Sequence, residues 1–143
     1  MNYIPLNCHT HLSFLQALTK PADLAKKAAD YGMSACAITD YDLLSGSVQF
    51  YEACKKNNIK AILGTKIVVK DAVESGYTTL IARNLDGWKE LMLLSSNSFL
   101  SGDRPSVKLD DIFATKNLLV LDGFTGSTTY KSSNSNALCQ KMN

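Results

Sequence analysis

The stretch Ser34-Ala-Cys-Ala-Ile-Thr-Asp40 decides the fold. It is apolar at consecutive positions rather than at every second one, so both of its faces must be covered. That pattern belongs to strands with helices packed against them, not to a sheet with one wet face. Its neighbours supply such helices. Upstream, "ADLAKKAADYG" carries Leu24, Ala25, Ala28 and Tyr31 on one face at helical spacing. Thr19 is the expected cap, Pro21 is tolerated in the first turn, and Gly32 closes the helix. Downstream, a helix is expected over about residues 45–57, with Val48, Tyr51 and Cys54 towards the core.

The alternation continues outward. Residues 3–8 read as a buried first strand. "IKAILGTKIVV" (59–69) reads as a strand broken at Gly64, "DAVESG" (71–76) as a turn, and "YTTLIAR" (77–83) as a strand. A helix carries Leu85, Trp88, Leu91, Met92 and Ser95, and "SGDRPS" is a loop. "VKLDDIFAT" is expected as a short helix and "NLLVLDG" (117–123) as a last strand. Trp88 at this spacing reads as core or interface. Beyond it "STTYKSSNSNALCQKMN" is rich in Ser, Thr and Asn without periodicity, so residues 1–126 are expected to form an α/β domain and 127–143 a flexible polar tail. Repeated strand–helix units imply a mostly parallel sheet or part of a β/α barrel, with the strand C-terminal ends gathered on one rim.

Composition narrows the function classes. The 143 residues have a net charge of +2, 45% hydrophobic and 20% charged content, and a mean hydropathy of −0.06. Those values describe an ordinary globular chain with no charge-based case for nucleic acid or membrane. Lys26-Lys27 and Lys55-Lys56 are the longest basic clusters and read as solvated helix faces. No apolar run approaches a membrane span, and the start "MNYIPLN" has no secretory character. Cys8, Cys36, Cys54 and Cys139 follow no zinc or disulfide spacing. A reduced, cytoplasmic protein is expected.

The chemistry gathers at the strand ends. The chain's two histidines, His9 and His11, end the first apolar run in "LNCHTHLSF" (6–14). Side chains two apart in an extended segment point the same way, so the pair can share one ion. Asp40 and Asp122 end later strands and can add carboxylates, for zinc, manganese or iron. The alternative is that the imidazoles hydrogen-bond to backbone and carboxylates. Lys66, also at a strand end, opposes a dication there unless an aspartate such as Asp40 holds it. Ser13 lacks a nucleophile-elbow motif, and "GFTGS" (123–127) lacks the lysine and spacing of a phosphate loop.

"LNCHTHLSFL", "GMSACAITDYDLLSGSVQFYEACKKNNIKAILGTKIVV" and "LIARNLDGWKELMLLSS" together resemble the PHP (polymerase and histidinol phosphatase) domain. More narrowly, they resemble the version at the N-terminus of the bacterial DNA polymerase III alpha subunit. The resemblance covers about residues 4–123 and is most specific from Gly32 to Val69. It implies a distorted seven-stranded β/α barrel, of which about five strands are present here. It also implies up to three metals bound for phosphoester hydrolysis, in members that keep the ligands. His9 and His11 match the family's first His-x-His. Gln16 falls where active members carry a liganding aspartate, Tyr41 where the motif reads Thr-Asp-His, and Lys66 where a glutamate bridges metals. The resemblance therefore implies a degenerate, non-catalytic PHP module acting in DNA replication by protein association. Its expected partners are replication proteins or a second copy across an open barrel edge. The other implied reading is a metal-dependent phosphoesterase with a reduced site of His9, His11, Asp40 and Asp122.

Overall fold

The computed structural model describes residues 3–70, 75–100, 102 and 104–121. The chain divides into two compact units, Met1–Thr65 and Lys66–Asn143. The strand order in the sheet is β1 (Ala35–Tyr41), β2 (Lys60–Lys70), β3 (Ser75–Ala82), β5 (Leu118–Leu121), and β4 (Val107–Lys108) pairs β2 off this path. This is a mixed α/β fold whose sheet is not closed into a barrel.

In the first unit, α1 (Pro21–Asp30) precedes β1 (Ala35–Tyr41), and α2 (Ser47–Lys56) leads to β2 (Lys60–Lys70). As the apolar run of 34–40 requires, β1 is buried along its length apart from half-buried Tyr41. Ala25 and Ala28 of α1, Cys36 and Ile38 of β1, and Phe50, Ala53 and Cys54 of α2 form one core cluster. The small residues of α1 let the helix lie close, and Phe50, fully buried, fills the centre. Gly32 takes φ 68°, the left-handed turn that ends α1.

Several expectations need correction. Residues 3–8 are not a regular strand. The segment does run beside β1, with Ala37 N donating to Pro5 O and Thr39 N to Cys8 O. Two residues on β1 are thus matched by three on the N-terminal segment. This slip breaks the even spacing a parallel ladder needs. The N-cap of α1 is Lys20, with no side-chain cap, not Thr19; the Thr19 carbonyl instead accepts from His11 N at 2.8 Å. In α2 the buried face is Ser47, Phe50, Ala53 and Cys54, while Val48 and Tyr51 are exposed. The bulky ring of Phe50 takes the interior and rotates the helix away from the expected face. Gly64 does not break β2, which runs through it without interruption.

The cysteines behave as core residues with one contact of note. Cys8 and Cys36 share a hydrogen bond, which holds the Cys8 thiol below its ordinary value. The same bond, with burial, pushes Cys36 up. Burial pushes Cys54 to about 11. Cys139 lies outside the described residues.

The second unit holds the later strands, β3 (Ser75–Ala82), β4 (Val107–Lys108) and β5 (Leu118–Leu121), with α3 (Leu85–Leu100) and α4 (Leu109–Phe113). The expected helix over "VKLDDIFAT" is therefore divided, its first two residues pairing in parallel with Val69 and Lys70. The α3 helix starts on Asn84, whose side-chain oxygen accepts from Gly87 N at 2.9 Å. It buries Gly87, Leu91, Leu94 and Ser98, so Leu85 and Met92 are on the exposed side. Trp88 is half-buried.

The expected single rim fails in this unit. β5 runs antiparallel to β3, with Thr79 opposite Leu121 and Ala82 opposite Leu118. Arg83, past the end of β3, thus lies at the start of β5, donating its N–H to Asn117 O. Glu90 secures the same corner. Burial alone would raise its carboxyl, but hydrogen bonds from the Asn117 backbone and side chain and from Lys116 N outweigh that and hold it below the ordinary value.

Gly87 is the tightest fit in this unit. A Cβ there would meet Asn117 O at 2.2 Å, and backbone cannot swing aside as a side chain does. Gly87→Ala is expected to destabilise the chain by about 2–3 kcal/mol, read as a lowered midpoint in urea unfolding. An unchanged midpoint would show that α3 and β5 separate easily.

Candidate functional site

The region holding His9 and His11 is built around one carboxylate. Asp40, near the end of β1, is 2% exposed. Its Oδ1 accepts from Thr10 N at 2.5 Å and from Ser13 Oγ at 2.6 Å, and its Oδ2 from Thr10 Oγ1 at 2.6 Å. Ser13 Oγ in turn accepts from Tyr41 N at 3.1 Å. The Asp40 carbonyl accepts from Thr65 Oγ1 at 2.9 Å. A buried carboxylate must be matched by donors, because leaving its lone pairs bare costs several kcal/mol. These three donors are neutral and come from the 10–13 turn.

That anchoring sets the histidines. Thr10 is fully buried, facing Asp40. His9 before it is half-buried and His11 after it is exposed. The His9 ring donates from Nδ1 to the Thr39 carbonyl at 2.7 Å. A carbonyl can only accept, so Nδ1 carries the proton of this bond, which in the neutral ring leaves the lone pair on Nε2. The ring also lies 4.6 Å from that of Tyr41, tilted by 43°. Tyr41 thus packs its ring against that of His9.

The remaining expected positions scatter. Gln16 is exposed, and its N–H donates to Ser13 O within the turn. Lys66 is buried, 4% exposed, and opens the second unit. Asp122 lies outside the described residues. Thr10 and Thr39 are the residues that sequence reasoning missed. Their signal was the threonine between the two histidines: if His9 and His11 point one way along an extended segment, position 10 must point inward.

The loop is held under local strain. Leu15 and Asp42 both take left-handed backbone angles, φ 59° and 60°, uncommon for residues with a side chain. Gly46, leading into α2, sits where a Cβ would meet Leu12 Cδ1 at 2.9 Å, Ile38 Cδ1 at 3.0 Å and Asp40 Oδ2 at 3.3 Å. Only glycine lets the helix start this close to the carboxylate.

The PHP domain family profile matches residues 5–128. This chain belongs to the PHP domain family. It is 37% identical over 103 residues to the DNA polymerase III subunit alpha of Buchnera aphidicola from Schizaphis graminum, a match covering 70% of this chain and 9% of that protein. The subunit of Chlamydia trachomatis is 33% identical over 113 residues, covering 71% and 9%. That of Staphylococcus aureus strain Mu50 is 41% identical over 91 residues, covering 64% and 8%. The matched region is thus about a tenth of the length of these relatives. Among solved structures, a protein described as a metal-dependent phosphoesterase from Bifidobacterium adolescentis aligns with a TM-score of 0.55 at 22% identity, over 68% of this chain and 34% of that one. An amidohydrolase from Chromobacterium violaceum aligns with a TM-score of 0.56 at 18% identity, over 66% and 32%. These likenesses concern the fold.

The donor set does not fit the metal cluster that the family implies. Among the described residues, no three of His, Cys, Asp or Glu are grouped to hold an ion. Asp40, the carboxylate bonded to the turn between the histidines and α1, already carries three hydrogen bonds from Thr10 and Ser13.

Asp40→Ala is expected to cost about 4 kcal/mol, since it orphans the Thr10 amide and two hydroxyls. Asp40→Asn should cost only about 1–2 kcal/mol, because the Thr10 hydroxyl can turn and accept from the new amide. Urea unfolding of both variants checks this order. Equal costs would mean that the carboxylate is not the anchor of the turn.

Proposed function

We propose that this chain is a non-catalytic PHP module that acts in DNA replication through protein association. The observation that carries this reading is the employment of Asp40, whose oxygens are committed to the fold rather than turned towards an ion. Substitution supports it: Gln16, Tyr41 and Lys66 stand where active members carry ligands. Lysine is the sharpest change of the three, because a cluster of dications needs anionic donors to offset its charge. The family supports the setting. The relatives are DNA polymerase III alpha subunits, which makes replication proteins the expected partners and the cytoplasm the expected location. No helix among the described residues is long and apolar enough to cross a membrane.

One observation favours a second reading, a phosphoesterase with a reduced site of His9, His11, Asp40 and Asp122. A histidine that donates Nδ1–H to a backbone carbonyl is oriented as metal-ligating histidines usually are, and His9 does so. The two readings differ in what the histidines retain.

Metal content and turnover separate them. Chain purified without chelator is expected to hold far less than one equivalent of zinc, manganese or iron. With each metal added, it should hydrolyse bis(p-nitrophenyl) phosphate no faster than a His9→Ala/His11→Ala double variant. Near-stoichiometric metal and turnover, both lost in the double variant, would instead establish the enzyme. Association is read separately, by titrating purified DNA polymerase III components against the immobilised chain; binding by none of them would contradict the replication role.

A further inference from the structure

The C-terminal end of α2 and the start of β2 line a cavity of about 520 Å³ within the first unit. Its buried lining is apolar, with Cys54 1% exposed and Ile59 half-buried. Burial pushes the Cys54 thiol up to about 11, so that lining carries no charge at neutral pH. The outer lining is polar: Tyr51, Lys55, Asn58 and Lys60. Tyr51 is 51% exposed, which leaves its ring open to a flat ligand.

The charge of this lining is one-sided. Lys55 and Lys60 both reach it and no carboxylate does; Glu52, a turn back on α2, is not part of it. Neither ammonium pairs with a carboxylate among the described residues. Two like charges facing one small space repel, and an anion bound between them relieves that repulsion. The fold thus divides the basic pair Lys55-Lys56: Lys55 lines the cavity with Lys60, and Lys56 does not.

Helix capping does not account for these lysines. Cations gather at helix C-termini to offset the dipole and its bare carbonyls. Here the chain supplies the donors itself. Asn57 N donates to the Ala53 and Cys54 carbonyls, both at 3.1 Å, Asn58 N to Lys55 O at 3.3 Å, and Ile59 N to Cys54 O at 3.1 Å. Asn57 Nδ2 adds a bond to Ala53 O at 2.8 Å. Lys60 sits on backbone that is tied down, its N–H donating to Ser34 O at 2.9 Å. Ser34 precedes β1 and Asp40 lies near the strand's other end, so the cavity is separate from the turn that carries the histidines.

Size and chemistry together select the occupant. Small-molecule sites span roughly 300–1,000 Å³ and combine an apolar lining with a few placed polar groups. Two ammoniums match a dianion, and lysine serves phosphate as a point charge. We propose that this cavity binds a small phosphate monoester carrying a flat organic group, its phosphate between Lys55 and Lys60 and the flat group against Tyr51 and Ile59. The site stands independently of the replication reading.

Titration with phenyl phosphate, followed by NMR, tests it. The expected result is saturable shifts at the Asn58 and Ile59 amides with a dissociation constant on the order of 1 mM. Inorganic phosphate should bind about tenfold more weakly, lacking the flat group. Lys55→Gln/Lys60→Gln changes two exposed side chains, so the rest of the spectrum should persist while affinity falls at least about tenfold. His9→Ala/His11→Ala should bind as the wild type does. Absence of shifts, or a lysine double variant that binds as tightly as the wild type, would overturn the site, and loss of binding in the histidine variant would overturn its location. Equal binding of inorganic phosphate would overturn the flat group. An oligothymidylate that shifts these amides where phenyl phosphate does not would overturn the small ligand.

Discussion

The Asp40 carboxylate is the constraint on which the first unit depends. It is buried at the end of a strand whose sides are covered, so it must be hydrogen-bonded or neutralised. Thr10 and Ser13 satisfy it with a backbone amide and two hydroxyls, and that demand shapes the turn between the first apolar run and α1. Gly46 sits beside the same group, where a Cβ would press first on the Leu12 and Ile38 methyls and then on the carboxylate. So does the placing of His9, one residue from the inward-facing Thr10 and tied to the carbonyl of Thr39. One anion thus holds in place the turn that carries the two histidines.

His9 has a structural partner in Thr39 and an aromatic neighbour in Tyr41, contacts that do not depend on an ion. The hydroxyls of Thr10 and Ser13 satisfy the Asp40 carboxylate from within the fold. His11 stands apart: its ring is exposed while its backbone closes the loop onto Thr19.

Much of the fold was legible, for reasons that also explain the failures. The doubly apolar run at 34–40 announced a covered strand, and Gly32 announced the end of α1, because burial and positive φ leave direct marks on residue type. The N-terminal strand was misjudged because its apolar content is right, while its register against β1 slips by a residue, and register is not written in composition. The face of α2 was misplaced because Val48 and Tyr51 fit the helical period as well as Phe50 does; only the volume available in the core decides between them. The reversal of β5 depends on pairing between distant segments, which strand-like sequence does not specify. At the site, the histidines and Asp40 were visible as chemistry-bearing types. The Thr10 and Thr39 partners were not, because threonine reads as an ordinary strand residue until its neighbour is known.

The central claim is that Asp40 spends its oxygens on the protein. Hydrogen exchange at the Thr10 amide, followed by NMR with and without saturating Zn²⁺, tests it most directly. The account predicts strong protection of that amide, unchanged within a factor of about two by zinc. Protection that falls tenfold or more when zinc is added would mean that Asp40 leaves Thr10 to bind the ion, and would contradict the account.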